Sequence, residues 1–125
     1  MEQTLFEQIG EENIALLITR FYDLVFEDKT ISPLFKTDKA LIKEKQRLFL
    51  TQYFGGPALY SEVYGHPKMR ARHLPHPIGT KEAEAWLSCM SQAITSLPIP
   101  EQVKQHMMQR LVPTAMFMIN KEDQA

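Results

Sequence analysis

The chain has a single cysteine, Cys89, and so cannot close an internal disulfide or build a thiolate metal site from its own residues. Nor does one sign of charge prevail: 14 Lys+Arg stand against 15 Asp+Glu, a formal net charge of -1. The basic footprint of a nucleic-acid binder is missing, and no nucleic-acid partner is expected. No stretch approaches the ~18 apolar residues of a membrane span. The opening Met1-Glu2-Gln3-Thr4 has no cationic segment followed by an apolar run. These absences lead to the expectation of a cytoplasmic protein with no membrane partner. Internal repeats are lacking, and the period-two alternation of half-buried strands is nearly absent.

Helical patterning is what the 125 residues do contain, at a length that suits one domain over 1–125. Apolar residues make up 44% and charged residues 23%, a globular composition. Thr4 and Glu7 have capping-box spacing, and Gly10 suits the end of that short helix. From about Glu11 to Glu27, Ile14, Leu17, Ile18, Phe21 and Val25 recur at helical intervals with Tyr22 beside the stripe. Ser32-Pro33-Leu34-Phe35 reads as a turn or a short tight helix, because proline presets φ for a first helical position. Asp38 is placed to cap a third helix through about Tyr53, with Ile42, Gln46, Phe49, Leu50 and Tyr53 on one face. Gly55-Gly56-Pro57 stops it.

Between Pro57 and Gly79 lie Pro67, Pro75, Pro77, Gly65 and the histidines His66, His73 and His76. This composition predicts an irregular segment with at most one turn of helix, and a loop that long usually has a function or a ligand holding it. Thr80 is expected to cap a fourth helix with the stripe Ala83, Trp86, Leu87, Met90, Ile94 and Leu97. After Leu97-Pro98-Ile99-Pro100, a last helix from Pro100 or Glu101 carries Val103, Met107, Leu111, Ala115, Met118 and Ile119, with a kink expected at Pro113.

Several residues do not fit a plain helical core. Gln46 is an amide on an apolar stripe; buried without a partner it would cost roughly 1–3 kcal/mol. Either something polar meets it or the helix is rotated to put it at the rim. Tyr22 and Trp86 lie on or near buried faces, where a phenol or an indole ordinarily needs an acceptor for its proton. Each alone reads as core packing; together with Gln46, on three different helices, they could converge on one small polar target. The 7 methionines and 10% aromatics suit a flat apolar cofactor as well as an ordinary methionine-filled core.

Neutral imidazole is the commonest nitrogen ligand for metals and the usual proximal ligand of haem iron. No HExxH, CxxC or two-histidine-one-carboxylate spacing is present, so a protein-only metal site is poorly supported. A single histidine on an apolar wall is what one axial haem bond requires. Pro75 and Pro77 leave His76 in extended chain, whereas Arg70 to Leu74 can make one helical turn that aims His73 inward. His66 reads as a turn residue, His106 as a solvated one and Cys89 as packing.

In its segments Phe21-Tyr22, Pro33-Leu34-Phe35, Lys45-Gln46, Phe49-Leu50-Thr51-Gln52-Tyr53-Phe54-Gly55-Gly56-Pro57, Gly65-His66-Pro67, Arg70-Ala71-Arg72-His73-Leu74-Pro75 and Ala85-Trp86-Leu87, the chain resembles the group II truncated globins of bacteria and plants. The resemblance runs over nearly the whole length. It implies an all-α truncated globin, a two-over-two helical sandwich around haem b. His73 would then be the iron ligand, and Tyr22, Gln46 and Trp86 the polar groups on the ligand side. Phe35, Ile42, Phe49, Leu50, Met69 and Ile78 would be haem contacts, with Ile42 at the gate to the ligand pocket. Lys45 and Arg72 would pair with the haem propionates.

The resemblance implies O2, NO or CO as ligands, with O2 held tightly, on a monomer or homodimer. It leaves the alternative of a haem enzyme, an NO dioxygenase or a peroxidase. A dioxygenase needs a reductase as partner, since the chain has no flavin or nicotinamide motif, and a peroxidase needs a distal proton shuttle that is not evident. Binding is therefore placed ahead of catalysis. A haem-free helical interaction module is the third alternative.

Overall fold

Thr4 begins the first helix, α1 (Leu5–Ile9), with a reciprocal cap in which its hydroxyl accepts from the Glu7 amide while its own amide donates to the Glu7 carboxylate. Gly10, at φ 89, ends α1 in a conformation that glycine adopts without a Cβ penalty. The structure, a computed structural model, describes residues 3–35, 38–68, 71, 73 and 77–121.

Helix α2 (Glu11–Glu27) follows, then a 3-10 turn (Ser32–Leu34) with Pro33 in its first turn. Helix α3 (Lys39–Tyr53) is capped by the Asp38 carboxylate, which accepts from the Leu41 amide. After α4 (Leu59–Tyr64) come α5 (Thr80–Thr95) and α6 (Glu101–Phe117). Among the described residues there are no strands. No described helix is long and apolar enough to cross a membrane.

Two expectations about boundaries need correction. The segment after Pro57 holds more than one turn of helix: α4 runs through six residues, and Ala71 and His73 are helical as well. No proline falls between Pro57 and Pro67, so the stretch keeps its backbone donors, and it is anchored by Tyr60, which is buried with its ring edge-on to Phe49. At α5, Thr80 is the first helical residue and Gly79 the cap; the Gly79 amide donates to the Glu82 carboxylate at 2.7 Å. The last helix is assigned without a break through Pro113.

Helix α2 packs against both α3 and α5, α5 packs on α6, and α1 reaches α6. The core lies where these meet. Ile14, Leu17, Phe21 and Val25 of α2 are fully enclosed, together with Leu50, Met90 and Met107 from α3, α5 and α6. Each such side chain contributes roughly 1.5–3 kcal/mol when removed from water. Tyr22 is buried beside this stripe, as are Cys89 and Ala93 on α5, whereas Trp86, Leu87 and Ile119 are only half-buried. Burial pushes the Cys89 thiol up, in keeping with a packing role.

Helix α3 is the exception to this closure. Of the face read from its spacing, only Leu50 is buried; Ile42, Gln46, Phe49 and Tyr53 are half-buried. An apolar helical stripe that the protein itself covers incompletely is a surface suited to a further apolar body.

Candidate functional site

Tyr22 projects from α2, which packs against both α3 and α5, and its ring is held on several sides. Phe21 meets it edge-on at 4.9 Å between centroids, Phe35 edge-on at 5.8 Å and Phe26 at 5.7 Å. The side chain is 3% exposed, yet its hydroxyl makes no hydrogen bond to any described residue. Among the described residues no fully enclosed side-chain nitrogen or oxygen lacks a partner, so this hydroxyl borders open space. Burial pushes the phenol well above the usual tyrosine range, which keeps it protonated and able to donate.

Trp86, on α5, also meets Phe21, with its ring edge-on at 5.2 Å. Its indole N–H donates to no described residue, and neither does the Gln46 amide on α3. Three polar groups on three helices thus lack partners among the described residues, although a buried one such as Tyr22 ordinarily finds a partner. The structure brings Tyr22 and Trp86 together around Phe21 and places Gln46 on the half-covered face of α3. For Gln46 this is a position between the deep core and the rim.

The other expected contacts are distributed as follows. Phe35 touches Tyr22, and Phe49 stacks on Tyr53 at 5.5 Å and meets Tyr60 edge-on. Leu50 and Ile78 are buried, Ile42 is half-buried, and the Lys45 ammonium sits 4.8 Å from the centre of the Tyr64 ring. Met69, Arg72 and His76 lie outside the described residues. A cleft of about 720 Å³ opens beside Phe49, between α3, α4 and α6; of the expected haem contacts among the described residues, only Phe49 lines it.

His73 is helical, and its side chain is exposed. Its carbonyl accepts from the Asn120 side chain at 3.2 Å. Sequence reasoning missed Asn120: an asparagine after a helix reads as a local cap, and nothing in its spacing points to a residue so far away in the chain. His66 accepts from the Lys68 amide in a turn, and His106 is exposed on α6, both as read from sequence.

An apolar α3 face half-covered by protein, aromatic rings around Tyr22, and donors without partners among the described residues suit a flat apolar group with a small polar ligand on one side. Haem fits that description, and the donor set contains imidazole, its usual proximal ligand.

Comparison with known proteins agrees. Residues 4–120 match the family described as bacterial-like globin. A group 2 truncated haemoglobin of Bacillus subtilis is 42% identical over 118 residues, covering 94% of this chain and 89% of that protein. The crystal structure of the group II truncated haemoglobin from Bacillus anthracis superposes with a TM-score of 0.96 at 44% identity, covering 100% of this chain and 97% of that one. The structure of the truncated oxygen-avid haemoglobin from Bacillus subtilis superposes with a TM-score of 0.90 at 42% identity, over 94% of this chain and 100% of that one. With helices, aromatic cluster and sequence all in agreement, the chain belongs to the bacterial-like globin family as a group II truncated haemoglobin, an all-α, haem-binding globin.

Proposed function

We propose that residues 1–125 form one truncated globin domain that holds haem b through His73. On the side of Tyr22, Gln46 and Trp86 it keeps a diatomic ligand, O2 foremost and NO or CO as well, with high affinity and slow release. The observation that carries this reading is the Tyr22 hydroxyl: protonated, 3% exposed as a residue, and without a hydrogen-bond partner among the described residues. Haem, when bound, would supply the iron that takes such a ligand.

The protein's own groups do the rest. The His73 imidazole gives a nitrogen to the metal in its neutral form. Phe35, Ile42, Phe49, Leu50 and Ile78 offer apolar surface to the macrocycle, and Lys45 a cation for its propionates. Tyr22 and Trp86 donate towards the ligand, and Gln46 either donates to it or accepts from Tyr22. Donors aimed at a ligand that gains electron density are strengthened by a low local dielectric, and each is worth about 1–3 kcal/mol. The relative from Bacillus subtilis whose structure is described as oxygen-avid supports the direction of this reading.

An absorption spectrum of the purified protein tests it, taken with and without dithionite and CO. A Soret band that shifts on reduction and again with CO is the expected result, and loss of the five-coordinate ferrous spectrum in His73→Ala assigns the ligand. A protein without Soret absorption refutes the proposal, as does a His73→Ala variant with an unaltered ferrous spectrum.

A further inference from the structure

Where α6 ends, the chain turns back onto the segment that carries His73. The Asn120 side-chain oxygen accepts from the Ile78 amide at 2.9 Å, while its side-chain nitrogen donates to the His73 carbonyl at 3.2 Å. The backbone closes on the same place: the amides of Asn120 and Lys121 donate to the Ile78 carbonyl at 2.7 and 3.3 Å. Next to it, the Glu82 carboxylate accepts from the Gly79 amide at 2.7 Å and pairs with the Lys121 ammonium at 3.1 Å. One carboxamide therefore ties His73 and Ile78 to each other and to the end of α6, just before α5 begins.

We infer that Asn120 is a positioning residue for His73, setting the height and orientation at which the histidine-bearing turn presents its imidazole. The inference rests on the reading of His73 as the metal ligand. The chemistry suits a carboxamide, whose acceptor oxygen and donor nitrogen sit on one planar head and make the two contacts with separate atoms. The backbone bonds to Ile78 do not involve the side chain, so they hold the end of α6 in place when the carboxamide is altered. What the side chain adds is the link across to residue 73.

The conservative variant is Asn120→Asp, which keeps an acceptor for the Ile78 amide and loses the donor to the His73 carbonyl. Asn120→Leu keeps the branched shape in a larger side chain and removes both contacts. Three readouts on the haem-loaded protein separate positioning from general stability. They are the histidine–iron stretching band of the ferrous form by resonance Raman, the rate of haem transfer to excess apomyoglobin, and amide hydrogen exchange at Ile78. In Asn120→Asp the band should shift or broaden and haem loss should quicken about fivefold, the worth of one neutral hydrogen bond, while exchange at Ile78 stays as in the parent. In Asn120→Leu, Ile78 exchange should rise as well. A band and a haem-loss rate unchanged in both variants overturn the inference, even if Ile78 exchange rises, because Asn120 would then anchor only the entry to α5. A parent protein without a histidine–iron band overturns the reading beneath it and this inference together.

Discussion

The indole of Trp86 stands edge-on to the ring of Phe21, with centroids 5.2 Å apart and planes at 67°. Phe21 is fully enclosed and also edge-on to Tyr22, so one buried ring packs against both donors of the proposed ligand pocket. Edge contact fixes where a ring lies without using its N–H, and packing and hydrogen bonding at Trp86 can therefore be tested separately.

Trp86→Phe keeps an aromatic neighbour for Phe21 and removes the donor. Stopped-flow measurement of O2 release should show a rate roughly five- to a hundredfold faster, the range for losing one hydrogen bond of about 1–3 kcal/mol with entry unchanged. An unaltered rate would remove Trp86 from the pocket's polar set.

Tyr22 should make stability depend on alkaline pH. Burial raises its pKa in the folded protein above the unfolded value of about 10. The neutral phenol is thus favoured in the native state, and its contribution is complete below pH ~10 and declines as pH rises further, when the unfolded chain ionises and the folded one does not. Chemical unfolding of the parent and Tyr22→Phe between about pH 9 and 11 should show the parent losing stability faster, by up to about 1.4 kcal/mol per pH unit. Parallel pH profiles would mean that the phenol is not desolvated.

Gly56→Ala should destabilise the junction of α1 with the end of α3. A Cβ there would lie 2.8 Å from the Phe6 ring and 2.8 Å from the Thr51 carbonyl, which accepts from the Gly56 amide. Because one of the clashing groups is backbone, relief requires moving the turn itself. A loss of about 1–3 kcal/mol in the unfolding free energy is expected, the usual scale of overpacking. A variant as stable as the parent would show that α1 is only loosely docked.

The helices were legible in the sequence because their signals are local. Thr4 with Glu7, Asp38 before α3, and the stripe Ile14, Leu17, Ile18, Phe21 and Val25 each lie within a few turns of one another, and each is found as read. Helix α4 was obscured by the prolines and glycine around it, since composition averaged over the whole segment hides a short helix that Tyr60 anchors by tertiary burial. Gly79 displaced Thr80 as the cap because the Gly79 amide finds the Glu82 carboxylate, a contact that side-chain capping preference does not anticipate.

For the candidate site the division is similar. The sequence alone determined which residue types could serve: a phenol, an indole and a carboxamide on apolar stripes, and histidines in a proline-rich excursion. Periodicity in a helix reports which side of an element a residue takes, and that much needs no partner. Only the tertiary structure decided that Phe21 joins Tyr22 and Trp86, that the face of α3 stays half-covered, and that Asn120 grips His73 and Ile78. The contacts of Phe21 with Trp86 and of Asn120 with His73 and Ile78 join residues far apart along the chain, and they exist only once packing has brought the helices together.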